Sequence, residues 1–164
     1  MKINYKKNKY FLYVGRISKE KGVEIFCQVI TEIGANGIVV GDGEEKTRLE
    51  KKYANINFVG WKDEKEVIKY MKNARALIFP SLIYETMGLT VIEALKNAIP
   101  VIVNGNCAAS EFVIDNENGY LYYNKEQLIE KMKTISKLND TIKFEDKFDT
   151  QSYVNNLLSI YKKT

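Results

Sequence analysis

Two carboxylates and a run of helix-start amides fall close together in PSLIYETMGLTVIEALKNAIP, residues 80–100. The apolar run ending at Phe79 predicts a buried strand, the residues after Pro80 a loop, and Leu89–Asn97 a helix opening near Gly88. Val91, Ile92, Leu95 and Ala98 share one helical face, which must pack on the sheet, so Glu93 is directed away from it about one turn in. A carboxylate there can accept hydrogen bonds from both hydroxyls of a ribose. Glu85, in the loop, can do the same for the hydroxyls of a second sugar. The amides of Met87, Gly88 and Leu89 stand at the helix N-terminus, where a phosphate can be met. A plainer reading fits the same residues: Glu93 as complement to the helix dipole and Glu85 as an ordinary loop charge.

Other segments could contribute to the same chemistry. In VGRISKEKGV, residues 14–23, Gly15 permits a tight exit from a strand, and Arg16 and Lys21 put two cations just before a helix N-terminus. Cations beside free helix amides make an anion site, and a guanidinium matches a phosphate's oxygens in bidentate fashion; a solvated loop carrying two ordinary surface charges is the plainer reading. The segment is not a P-loop, because Lys21 is followed by Gly22 and Val23. GDGEEK, residues 41–46, begins like a dinucleotide-binding turn but has Lys46 in place of the third glycine, so a simple strand-to-helix turn explains it as well. Gly60 allows close backbone approach and Trp61 could flank a base; the simpler expectation is a turn and a packed tryptophan. In NGNCAASEF, residues 104–112, the small Ala108 and Ala109 would let another backbone come near.

These residues need a frame, and the chain supplies a regular one. Short apolar or aromatic runs at Tyr10–Val14, Gly37–Val40, Ile56–Val59, Ala76–Phe79, Pro100–Val103 and Tyr120–Tyr123 alternate with helical patterns. The latter fall at about Gly22–Ile33, Glu44–Tyr53, Glu64–Lys72, Leu89–Asn97, Ala109–Ile114, Lys125–Leu138 and Gln151–Lys162. Runs that are apolar throughout, without alternation, predict strands covered on both faces. The rhythm predicts an α/β domain: a doubly wound, Rossmann-like parallel sheet of about six strands with helices on both faces, binding its ligand at the strands' carboxyl ends.

Composition narrows the function further. At 164 residues, 45% hydrophobic and 28% charged, the chain is expected to form a single globular domain over residues 1–164. Of its 25 basic residues all but Arg16, Arg48 and Arg75 are lysines, scattered among 21 acids, which argues for a solvated surface and against nucleic acid as a partner. Histidine is absent, so neither a Ser-His-Asp triad nor a Cys-His pair can be assembled. Cys27 and Cys107 lie far apart with no C-x-x-C; no zinc site and no other metal site is expected. They read as reduced cysteines of a cytoplasmic protein. No apolar run reaches the length of a signal sequence core or a membrane span, so a cytosolic location is expected, the inner face of a membrane included.

Taken in order, the pieces resemble the nucleotide-binding, C-terminal domain of the glycosyltransferase group 1 family, retaining enzymes of the two-domain GT-B fold. The residues that carry the resemblance are VGRISKEKG, the GDGE turn, FVGW, PSLIYETMGLTVIEAL with its two glutamates, IPVI, and AASEFV followed by NGYLY. The resemblance implies that Arg16 and Lys21, after Gly15, hold the diphosphate of a nucleotide-sugar donor and stabilise the departing nucleoside diphosphate without a metal or other cofactor. It implies that Glu93 binds the ribose, Glu85 the transferred sugar, and the backbone of Thr86, Met87, Gly88 and Leu89 the phosphate and sugar. Gly60 and Trp61 would lie near the base. Ala98 stands where the family often has glycine, and Thr86-Met87 replace a more glycine-rich loop. The family's N-terminal acceptor domain and its histidine are missing from this chain, so a partner domain or subunit is expected, with sugar transfer to a polysaccharide, lipopolysaccharide or glycolipid. Peripheral membrane association of the full enzyme is compatible with this. A non-catalytic sugar-nucleotide-binding subunit and a sugar-nucleotide epimerase of similar build are the alternative readings.

Overall fold

The computed structural model describes residues 8–83, 88–138, 142 and 144. Six parallel strands, β1 (Tyr10–Val14), β2 (Asn36–Val40), β3 (Asn57–Gly60), β4 (Ala74–Phe79), β5 (Val101–Asn104) and β6 (Gly119–Tyr122), form one sheet in the order β3-β2-β1-β4-β5-β6. Helices α1 (Val23–Glu32), α2 (Lys46–Lys52), α3 (Glu64–Lys72), α4 (Leu89–Lys96) and α5 (Lys125–Thr134) connect or follow them. From β1 the chain winds outward to β3, returns, and winds the other way from β4 to β6. With right-handed crossovers, this puts α1 and α4 on opposite faces. The expected doubly wound sheet is present, with its winding reversing between β1 and β4.

The apolar runs are buried as two-sided strands should be. Ala76–Phe79 of β4 and all of β5 are buried, and Gly37 of β2 is hemmed in by Ile30 and Phe26 of α1. In α4, Val91, Ile92, Ala94 and Leu95 are buried while Glu93 is exposed, the face division that the helical spacing predicts. The outer edge of β6 is closed by side chains: the Leu121 amide donates to the Asp115 carboxylate (3.3 Å) and the Tyr123 amide to the Gln127 side-chain oxygen (2.8 Å).

Four of the five helices open in one of two ways. Asp63 caps α3 by accepting from the Glu66 amide, and Asn124 caps α5 by accepting from the Gln127 amide, each at 2.9 Å. α1 and α4 instead open on left-handed glycines, Gly22 (φ 66°) and Gly88 (φ 57°), and neither has a side-chain cap. These two helices face the place where the winding reverses. The predicted Ala109–Ile114 helix is a short 3₁₀ helix, Ala108–Phe112, and α5 passes into another at Ile135–Lys137. The predicted helix over Gln151–Lys162 lies outside the described residues.

Candidate functional site

The carboxyl ends of β1 and β4 are neighbours, so the loops after Val14 and Phe79 bound one crevice. Hydrogen bonds fix both loops. The Tyr13 hydroxyl donates to the Arg16 carbonyl (2.6 Å), and the Gly15 and Ile17 amides donate to the Val40 and Asp42 carbonyls (3.0 and 2.9 Å). The Leu82 amide, beyond β4, donates to the Glu20 carbonyl (2.9 Å).

The glycines of the GDG turn serve this packing. A Cβ at Gly41 would lie 1.9 Å from the Gly15 carbonyl oxygen, and one at Gly43 would lie 2.3 Å from that of Ile17. The turn therefore braces the Arg16 loop.

Two cavities share the wall formed by Val14, Gly15 and Arg16. A smaller one, ≈ 90 Å³, adds Lys21, Pro80, Ser81 and Thr90. A larger one, ≈ 360 Å³, adds Gly41, Asp42, Trp61 and Lys62. The first is fronted by the N-terminus of α4, whose internal bonding begins with the Val91 amide on the Gly88 carbonyl, so the amides of Leu89 and Thr90 precede the ladder. Gly88 is pressed against Ala109, 2.4 Å from where its Cβ would stand, which is the close approach that the small residues of NGNCAASEF allow.

Electrostatics join the two cations. Glu20 is held below the ordinary carboxylate range, first by the Ser18 hydroxyl, which donates to it at 2.6 Å, then by a backbone hydrogen bond and the nearby charges of Arg16 and Lys21. Both cations thus act on one point beside the crevice. Glu93 is shifted the other way: partial desolvation raises its carboxyl pKa, Glu64 at the start of α3 raises it further, and Lys96 opposes. Glu93 itself lines neither cavity; it stands on the exposed face of α4, four residues beyond the helix start.

The predicted residues Gly15, Arg16, Lys21, Trp61, Gly88 and Leu89 border these cavities or the helix start beside them. Gly60 (φ 75°) ends β3, its carbonyl accepting from the Gly41 amide (2.9 Å). Glu85, Thr86 and Met87 lie outside the described residues. The packed tryptophan is corrected: Trp61 is 73% exposed, standing over the larger cavity without being buried in the core. Asp42, Lys62, Ser81 and Thr90 also line the cavities and were not anticipated. Asp42 belongs to the GDG turn already singled out, and Thr90, one residue into a helix facing an anion site, carried a signal of its own.

Comparison with known proteins decides the family. The model of glycosyl transferases group 1 matches residues 2–154. The chain belongs to this glycosyltransferase family. Among curated members, it is 31% identical over 134 residues to the alpha-monoglucosyldiacylglycerol synthase of Acholeplasma laidlawii, covering 74% of this chain and 33% of that protein. It is 28% identical to the capsular polysaccharide biosynthesis glycosyltransferase CapM of Staphylococcus aureus, covering 91% and 44%. Among solved structures, Anabaena HepE in complex with UDP superposes with a TM-score of 0.78 at 17% identity, covering 98% of this chain and 50% of that one. The C-terminal domain of a glycosyl transferase group 1 protein, LpcC of Francisella tularensis, superposes with a TM-score of 0.68 at 25% identity, covering 86% and 85%. The fold is that of the GT-B neighbours, and the glycosyltransferase chain spans less than half the length of these two curated relatives. Among the described residues, no helix is long and apolar enough to cross a membrane.

Proposed function

We propose that the chain is the donor-binding half of a retaining glycosyltransferase that moves a hexose from a nucleoside-diphosphate sugar to a polysaccharide, lipopolysaccharide or glycolipid acceptor. The observation that carries this reading is the position of Arg16 on the walls of both cavities where the sheet's winding reverses, beside the uncapped start of α4.

In this reading the diphosphate lies in the smaller cavity, between the Arg16 guanidinium, the Lys21 ammonium and the first amides of α4. The base extends over the larger cavity towards Trp61, and Glu93 takes the ribose hydroxyls. Glu85 takes hydroxyls of the transferred sugar. As the bond from the sugar's anomeric carbon to the diphosphate oxygen breaks, negative charge grows on that oxygen, and the two cations and the amides stabilise it in place. No metal is assigned to this step. The acceptor would be held by the remaining half of the enzyme, as another domain or a separate subunit, with the donor half in the cytoplasm or at the membrane's inner face.

Calorimetric titration of the whole chain with uridine, guanosine and adenosine diphosphates tests the reading. One of the three should bind, and Arg16→Ala should weaken it about tenfold or more while leaving affinity for the matching nucleoside little changed. Silence towards all three, or indifference to Arg16→Ala, would count decisively against it. The alternative reading is a non-catalytic sugar-nucleotide-binding subunit. Assaying the longest natural form for sugar transfer and for epimerised nucleotide sugar separates that role, and an epimerase, from a transferase.

A further inference from the structure

The loop after β4 is held from below by a residue that lines neither cavity at the switch point. Asn104, the last residue of β5, is 7% exposed, and its side-chain amide donates to the Ser81 carbonyl at 2.9 Å within the buried interior. Its side-chain oxygen accepts from the Asn106 amide at 3.1 Å. A carbonyl on one side and an N–H on the other fix which end of the side chain faces which partner. The Asn104 main-chain oxygen is engaged too, by the Cys107 amide (3.2 Å) and the Cys107 thiol (3.1 Å), so the turn cannot shift alone.

Ser81 lines the smaller cavity with Arg16, Lys21 and Thr90. The same turn leads into Ala109, against which Gly88 at the start of α4 is pressed. One turn therefore sets the level of Ser81 before the donor loop and of Gly88 after it.

We infer that Asn104 is a positioning residue for the donor: without touching it, Asn104 sets where Ser81 and the α4 amides stand relative to Arg16. This rests on the donor-binding reading above. Aspartate has asparagine's shape, but its carboxylate cannot donate, so Asn104→Asp keeps the Asn106 contact and turns a hydrogen bond to Ser81 into a repulsion. Protonation restores the donor, and burial raises the pKa at which it occurs.

The test is titration of wild type, Asn104→Asp and Asn104→Ser with uridine, guanosine and adenosine diphosphates at neutral pH and at about pH 5, with thermal melts of each. At neutral pH the aspartate variant should bind about tenfold more weakly than wild type. That ratio should narrow towards one in acid, a rescue that general loosening of the fold would not give. Serine, whose hydroxyl is too short to reach Ser81, should bind weakly at both pH values. If Asn104→Asp does not fold at neutral pH, the serine variant decides. Folded variants that bind like wild type, or an aspartate deficit unchanged in acid, would overturn the inference while leaving the donor-binding reading intact. A wild-type chain that binds none of the three diphosphates would remove both.

Discussion

Gly22 and Pro80 meet backbone to backbone across the point where the sheet's winding reverses: a Cβ on Gly22 would stand 2.0 Å from the Pro80 carbonyl oxygen. The start of α1 is thereby pressed onto the first residue of the donor loop. Gly22 also has φ 66°, so alanine there meets both left-handed strain and a collision with backbone that has no rotamer to change. Gly22→Ala should cost about 2–4 kcal/mol in urea unfolding, beyond the cost of the conformation alone. A loss below about 1 kcal/mol would mean that the two loops yield easily and are not a rigid frame.

A second left-handed residue gives the opposite prediction. α4 ends with the Ala98 amide on the Leu95 carbonyl (2.9 Å) and the Ile99 amide on the Ala94 carbonyl (3.0 Å), the paired bonds of a Schellman ending. Ala98 occupies the position where glycine is favoured, with φ 56°. Ala98→Gly should raise stability by about 0.5–1 kcal/mol, the relief of strain exceeding the added freedom of the unfolded chain. Thermal and urea unfolding measure it, and nucleotide affinity should not change.

Trp61 is the chain's single tryptophan and is largely exposed beside Arg16, so its emission reports on the larger cavity. Binding of the matching nucleoside diphosphate should alter it. Trp61→Ala should leave stability within about 0.5 kcal/mol of wild type, as for other exposed side chains. Lost stacking on the base should weaken affinity by about 1–3 kcal/mol. A large loss of stability with affinity unchanged would return the residue to a packing role.

Glu93 should show function opposed to stability. Burial, then Glu64, raises its pKa in the folded chain. The folded state therefore resists its ionisation, and stability that is complete below the unfolded value falls as pH rises through the folded one. Glu93→Gln removes this loss. The variant should melt no lower than wild type at neutral pH, with any advantage vanishing in acid, while losing about tenfold in nucleotide affinity. Melts across pH, paired with tryptophan fluorescence titration, give both quantities.

The frame was easier to read than the site, for physical reasons. β1 and α3 follow the predicted Tyr10–Val14 and Glu64–Lys72 because local signals specify them: an unbroken apolar run in one, and Asp63 ahead of an amphipathic pattern in the other. That Arg16 and Lys21 would border the crevice was legible from their place between the end of β1 and the start of α1. The role of the GDG glycines was not, since their space is taken by residues 15 and 17, which only the assembled sheet brings near. Trp61 was misread because a large apolar side chain is expected inside; what keeps it out is its place beyond the end of β3, where the sheet stops and the crevice begins. Asn104 gave no sign, because an asparagine in a turn resembles any other until the carbonyl it serves is known.

The closed margin of β6 has a consequence for how the molecule behaves in company. Asp115 and Gln127 have taken the hydrogen bonds that a foreign strand would need to add itself beside Leu121 and Tyr123. On this border two outward-facing amides are already engaged. Filament growth or swapping through it would first have to evict two of the chain's own side chains, so concentrated solutions of the domain should be protected from templated association on that side.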